Sequence, residues 1–384
     1  MPINSFLYPG AKVTPAYEVD NSCMFNDNDT AYMHKTPSSS GNQRTFTFST
    51  WWKQGDLASS SVLFASGEAD GDPNFAIYFS SSEQLNVLYY EGSSLLQLVT
   101  NAQYRDPAAW YHVCVAIDTT QGTASDRAKI YINGSQVTSL GTETYCNQNV
   151  DISINTSSYR MSLGAGVDNG DAADGYAAET VFIDGTAYAA SSFGEFDEDS
   201  PQIFKPKDVS GLTFGTNGFY LDFEDSANLG NDKNGGTDLT EVNLAATDQM
   251  TDSPTNNFCT LNPLNSVGTA GLSTVTMSQG NLQALGTDDF DTAFGTMGVQ
   301  NGVWYYEVEC DSTGSGYCAG WTTTDEMQSV GATGDLSAKF VGFLNDIRVM
   351  NWNTEDLSDY GIISAGDILG LELDLDSVTQ TLKC

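Results

Sequence analysis

Histidine is almost missing from this 384-residue chain, which has two, His34 and His112. Mechanisms built on an imidazole base or nucleophile are therefore poorly served. His34 reads as a loop residue after Tyr32, and His112 as a packed, hydrogen-bonded residue in the middle of a strand. Positive charge is scarce too: 14 Lys and Arg face 50 Asp and Glu, a net charge of −36. A surface this acidic repels phosphate backbones and anionic membranes, which excludes nucleic acid as a partner. No segment approaches the ~20 apolar residues of a membrane span, so no membrane insertion is expected. Met1–Val19 lacks the basic start and apolar run of a secretory signal. Also missing are a Gly-rich phosphate cradle, a Cys-x-x-Cys pair and a His-Glu metal motif. Most of the seven cysteines read as buried thiols of a protein made in a reducing cytoplasm. One pair, Cys310 and Cys318, sits symmetrically about Gly314 and could face across a hairpin.

What is present favours β structure. Aromatic residues make up 11% and hydrophobic residues 40% of the chain, enough for a packed core. Thr, Ser, Tyr and Phe abound, and long helical periodicity is lacking. The organising stretch is Asp106–Val137. In WYHVCVAID, residues Trp110, His112, Cys114 and Ala116 alternate with Tyr111, Val113, Val115 and Ile117, so both faces are apolar and the strand should be covered on each side. Ala128–Asn133 follows, ending at Asn133-Gly134, two residues that tolerate positive φ in a tight turn. Strands are predicted at Ser22–Met33 (two, about an Asn/Asp turn), Thr45–Lys53, Val62–Ala65, Phe75–Phe79, Leu85–Tyr90 and Leu95–Thr100. Further strands are predicted at Val150–Ile154, Tyr159–Leu163, Ala177–Asp184 and Gly218–Phe223, with a short helical turn at Ala189–Phe193. This spacing suits a sandwich.

Trp110–Val113, the polar loop, and the turn Lys129–Gly134 together resemble the core hairpin of laminin-G-like, concanavalin-A-type jelly-roll domains. Thr45–Lys53 resembles the early inner strand of those domains and Asp174–Gly185 their closing strand. In the last third, Gly302–Cys310, Ala319-Gly320-Trp321 and Gly366–Asp376 resemble three strands of a SPRY domain. That family continues with further strands where this sequence stops, so the expectation is either a sheet completed by another chain or a shortened product; an uncompleted edge would be exposed and adhesive. Asp248–Phe258, with Tyr8-Pro9-Gly10-Ala11, Arg105-Asp106-Pro107 and Ser192–Glu195, resembles virion proteins of marine bacteriophages.

Several groups of residues could carry chemistry. The loops Asn26-Asp27-Asn28-Asp29 and Asp168-Asn169-Gly170-Asp171 through Asp174 are oxygen-rich, as a hard cation requires, and Asp168, Asp171 and Asp174 are the expected calcium ligands. Asp and Asn are equally at home in solvated turns. Tyr89, Tyr90, Tyr145, Tyr159 and Tyr176 could stack on sugars or simply pack at strand edges. A glucanase of this fold class would place paired carboxylates on one strand. The nearest approach, Glu195-Phe196-Asp197-Glu198-Asp199-Ser200, ends in serine and reads as a loop. Glu372, Asp374 and Asp376 alternate on a strand of the other domain.

The expectation is an all-β protein. It comprises an N-terminal arm (1–21), a concanavalin-A-like jelly-roll sandwich (22–224), an extended connector with one short strand near Leu239–Leu244 (225–264), and a SPRY-like sandwich (265–384). The resemblances imply a non-enzymatic structural protein on a bacteriophage virion surface: a fibre, spike or capsid decoration. It would associate with itself and with other virion proteins, recognise host glycans, and need no cofactor beyond calcium. The alternatives are a carbohydrate-binding adhesin and a glycoside hydrolase.

Overall fold

The computed structural model describes residues 17–57, 59–267, 275–287, 291–311, 318–322, 340–344, 349–351, 354–356, 364–376 and 381–383. The chain divides into two compact units, the first spanning Met1–Phe258 with Ser278–Gly280, the second holding the remainder.

The first unit is a sandwich of two eight-stranded antiparallel sheets. Its strands begin with β1 (Ser22–Phe25), β2 (Tyr32–Lys35), β3 (Thr45–Gln54), β4 (Ser61–Gly67), β5 (Asn74–Phe79) and β6 (Gln84–Tyr90). There follow β7 (Ser94–Gln103), β8 (Trp110–Asp118), β9 (Ala128–Ile132), β10 (Ser135–Gln136), β11 (Leu140–Thr144), β12 (Arg160–Leu163) and β13 (Gly175–Asp184). Last come β14 (Gly194–Phe196), β15 (Phe204–Pro206), β16 (Phe219–Leu221), β17 (Thr240–Val242) and β18 (Gln249–Met250). One sheet runs β10-β9-β8-β3-β13-β1-β18, with β16 also paired to β13; the other runs β11-β7-β6-β5-β4-β12-β2-β17.

Alternation assigns the faces of the first sheet. From β3, Phe46, Phe48 and Trp52 point between the sheets, with Val113, Val115 and Ile117 of β8 and Phe182 of β13. Trp51, Trp110, Cys114, Tyr176 and Val181 point the other way, into a second apolar layer completed by Phe193, Phe204, Val209 and Phe214. The stretch after β13 supplies that cover, so β8 is buried on both faces, as its sequence requires. Each large apolar side chain removed from water contributes about 1.5–3 kcal/mol. Asn133 and Gly134 both have positive φ, at 46° and 79°, and close the β9–β10 turn.

Several local expectations are corrected. His34 lies in β2, bonded between β12 and β17, not in a loop. Val150–Ile154 forms no strand, although Ile152 and Ile154 are buried. Glu195 lies in β14, paired with β15, rather than in a loop.

The stretch read as an extended connector belongs to the first unit as far as Phe258. β17 extends one sheet beside β2 and β18 the other beside β1. The physical reason is a cation on the outer face of β3. Lys53 is fully buried, and its Nζ lies 2.7 Å from Asp252 Oδ2, 2.9 Å from Asn257 Oδ1 and 2.8 Å from the Phe258 carbonyl. Trp110 Nε1 donates to the other oxygen of Asp252 at 3.0 Å. A buried ammonium needs such partners, and this segment supplies them.

In the second unit, Val303–Glu309 pairs antiparallel with Ile368–Asp374 along its full length, and Thr381–Lys383 adds a third strand. Cys318–Thr322, Phe340–Leu344, Val349–Asn351 and Thr354–Asp356 form a four-stranded sheet. Most of the N-terminal arm, the Gly314 turn and the side chain of Cys318 lie outside the described residues.

Candidate functional site

The histidines can be placed first. His112 lies on the outer face of β8, with Nε2 2.9 Å from Ser49 Oγ. That is the contact of a nucleophile and its base, but the two side chains are 0% and 1% exposed, so no substrate reaches them. Burial pushes the imidazole down to about 3, keeping it neutral. Trp51 and Phe204 pack on its ring, at 5.1 Å each. Glu195 and Asp197 flank Lys205 at 3.8 and 3.3 Å on the β14–β15 hairpin.

The three expected calcium ligands do not gather. Asp168 is exposed and turns back to accept the Gly170 amide at 2.9 Å. Asp171 is also exposed; partial burial and the Asp168 charge push its carboxyl up. Asp174 departs from both, being buried at the start of the closing strand, 3% exposed, with Oδ1 lacking a partner among the described residues. Burial pushes it up to about 8, and the charges that add to the rise are Asp27 and Asp56. The Asp174 backbone carbonyl accepts the amide of Gly55, in the loop after β3, at 3.0 Å. Among the described residues no three His, Cys, Asp or Glu side chains stand close enough to hold a metal ion. The candidate tyrosines are also accounted for in part: Tyr89 and Tyr176 are core residues, 2% and 1% exposed, and Tyr145 donates to Glu143 at 2.8 Å.

A site that the sequence did not announce lies on the outer face of β13. Ala178 pairs with Trp51 and Val181 with Ser49, so three steps on β13 match two on β3. The extra residue makes a β-bulge, and Glu179 occupies it with φ 49°. At the same point the neighbour of β13 changes from β1 to β16, which leaves its edge open between them. In unbroken alternation Glu179 would face the interior between the sheets. The bulge re-aims it outward, where it accepts hydrogen bonds from Tyr17 Oη at 2.9 Å and Tyr220 Oη at 2.9–3.0 Å. Burial pushes this carboxyl up to about 7, with Asp222 and Glu224 adding to the rise and the two phenols opposing it.

Beside these groups opens a cleft of about 350 Å³ lined by Tyr17, Phe214 and Tyr220. The Phe214 and Tyr220 rings stack 6.3 Å apart and both are buried, so they form the floor. Asp208, Glu224, Lys233 and Asn234 are exposed and form the rim. Lys233 is held between Asp222 and Glu224 at 2.8 and 2.6 Å.

Solved structures resemble the chain at low identity. A heptameric SAP-like pentraxin from Limulus polyphemus shares 16% identity over 45% of this chain and 80% of its own, with a TM-score of 0.34. The carbohydrate-binding module of a Ruminococcus gnavus sialidase, bound to α2,3-sialyllactose, shares 14% over 37% of this chain and 84% of its own, with a TM-score of 0.26. Domains LG4-5 of the mouse laminin α1 chain share 8% over 97% of this chain and 77% of their own, with a TM-score of 0.36. No curated protein matches the chain. Residues 26–191 match the sequence model of the concanavalin A-like lectin/glucanases superfamily, and the first unit has the concanavalin A-like, laminin G sandwich fold.

Proposed function

We propose that this chain is a non-enzymatic glycan-recognition protein carried on the surface of a bacteriophage virion. The observation that carries the recognition reading is the match of residues 26–191 to a superfamily of lectins and glucanases. The sealing of His112 and Ser49 inside the outer apolar layer supports binding over hydrolysis. Glu195 and Asp197, the nearest candidates for paired carboxylates, lie against a lysine. The virion reading rests on the phrase Asp248–Phe258 and its companions in sequence. The net charge of −36 suits a soluble particle surface. In this reading the second unit is a SPRY-like sandwich, and self-association makes weak sugar contacts multivalent.

A glycan array probed with the purified chain should show binding, and incubation with the bound glycans should release no reducing sugar. Release abolished by Glu195→Gln or Asp197→Asn would replace this reading with the hydrolase one. Electron cryomicroscopy of the particle should show the chain on its exterior.

A further inference from the structure

We propose that the cleft floored by Tyr17, Phe214 and Tyr220 is a subsite for one uncharged pyranose unit of a glycan. This rests on the glycan-recognition reading and adds to it a place and a ligand class.

Four features converge there. The cleft, at about 350 Å³, admits one sugar ring with its bound water but not an extended oligosaccharide. Of its three rings, Phe214 and Tyr220 are 4% and 6% exposed and Tyr17 is partly exposed, so the C–H face of a pyranose packs chiefly on Tyr17 while its hydroxyls stay free for polar partners. Its rim mixes carboxylates with the Lys233 ammonium and the Asn234 amide, so it can accept from and donate to hydroxyls, each of which does both. Finally, the floor is held in place: Glu179 binds the hydroxyls of Tyr17 and Tyr220 together, themselves 3.1 Å apart. A strained backbone at a bulge, holding a buried carboxylate under two phenols, is the kind of local cost that persists where a site needs it.

Charge selects among ligands. Asp208, Asp222 and Glu224 outnumber Lys233, and that lysine is already committed to two of them. Phosphate, sulfate and the carboxylate of a sialic acid are therefore repelled. A quaternary ammonium would meet Lys233 at the rim. A neutral ring with several hydroxyls meets neither objection. Glu179 is a positioning residue in this account, acting through the two tyrosines.

The test uses the full chain on an array of neutral and acidic glycans, followed by titration calorimetry with the neutral glycans that bind. The variants are Tyr17→Ala at the floor and Asp208→Asn and Asn234→Ala at the exposed rim, with Asp168→Ala at the far acidic loop as control. The two rim changes touch no core contact, so they report even where Tyr17→Ala unfolds. We expect neutral glycans to bind, the rim variants to lose about tenfold in affinity or more, melting to be unchanged in those variants, and Asp168→Ala to bind as the wild type. Neutral glycans bound equally by all rim variants would overturn the cleft while leaving glycan recognition intact. Selective binding of acidic glycans would overturn the ligand class. An array with no binding at all would overturn the recognition reading, and the cleft proposal with it.

Discussion

Two buried carboxyls, Asp174 and Glu179, make the stability of the first unit depend on pH. Asp174 keeps its proton to about pH 8 in the folded chain, far above the ordinary 3.8, because burial penalises its charge. The folded state therefore binds more protons than the unfolded one across that interval. The stability this contributes is full below the ordinary carboxylate range and is lost as pH rises towards 8. Glu179 acts in the same sense, with an upper limit of about 7. The melting temperature should fall by several degrees from acidic to mildly alkaline pH, and Asp174→Asn should flatten much of that slope. A slope unchanged in this variant, followed by circular dichroism, would contradict the account. Calcium added at pH 8 should leave melting unchanged, because Asp168 and Asp171 stand apart from Asp174; a rise of several degrees would restore the calcium reading. Lys53 makes a third residue-scale case. Lys53→Met strips a buried carboxylate of its partner and should cost about 3–5 kcal/mol in denaturant unfolding. The further change Asp252→Asn should recover part of it.

Among the elements, β8 was legible because both of its faces are apolar and a tight-turn pair follows its partner. Trp110 is 8% exposed on the outer face, and Trp110→Ala should cost about 3–5 kcal/mol by chemical denaturation. The bulge in β13 was not legible. GYAAETVFID reads as an ordinary two-sided strand, since Ala178, Thr180 and Val181 satisfy either register, and only pairing with β3 shows the added residue. Deletion of Glu179 should restore regular alternation, keeping Thr180 opposite Thr50, which it already meets at 2.7 Å. That variant should fold with native near-ultraviolet dichroism and lose the Tyr17–Tyr220 clasp; failure to fold would show that the bulge is required by the sheet itself. The role of Asp248–Phe258 was also hidden. Its polar composition reads as linker, and nothing in the sequence announces that Lys53, some 200 positions earlier, needs it.

At the scale of the molecule, a charge of −36 works against compactness. Added sodium chloride should screen that repulsion and raise the melting temperature, in the opposite sense to what loss of surface ion pairs would give. A fall on moving from low to physiological salt would show that exposed pairs such as Arg44–Asp151, at 2.6 Å, outweigh the net field. The all-β class was readable from composition and strand spacing. The reach of the first unit to Phe258 was not, because it depends on edge strands of two and three residues.

The pairing of β1 with β18 brings together chain positions more than two hundred residues apart. Beside it, the Val19 amide donates to Thr255 Oγ1 at 2.9 Å, and Ser253 Oγ donates to the Val19 carbonyl at 2.5 Å. Within the described residues, the first strand of the sandwich and its last one therefore lie side by side. A module with that property can be spliced into a surface loop of an unrelated host with little strain on the host, or its ends can be joined and new ones opened elsewhere.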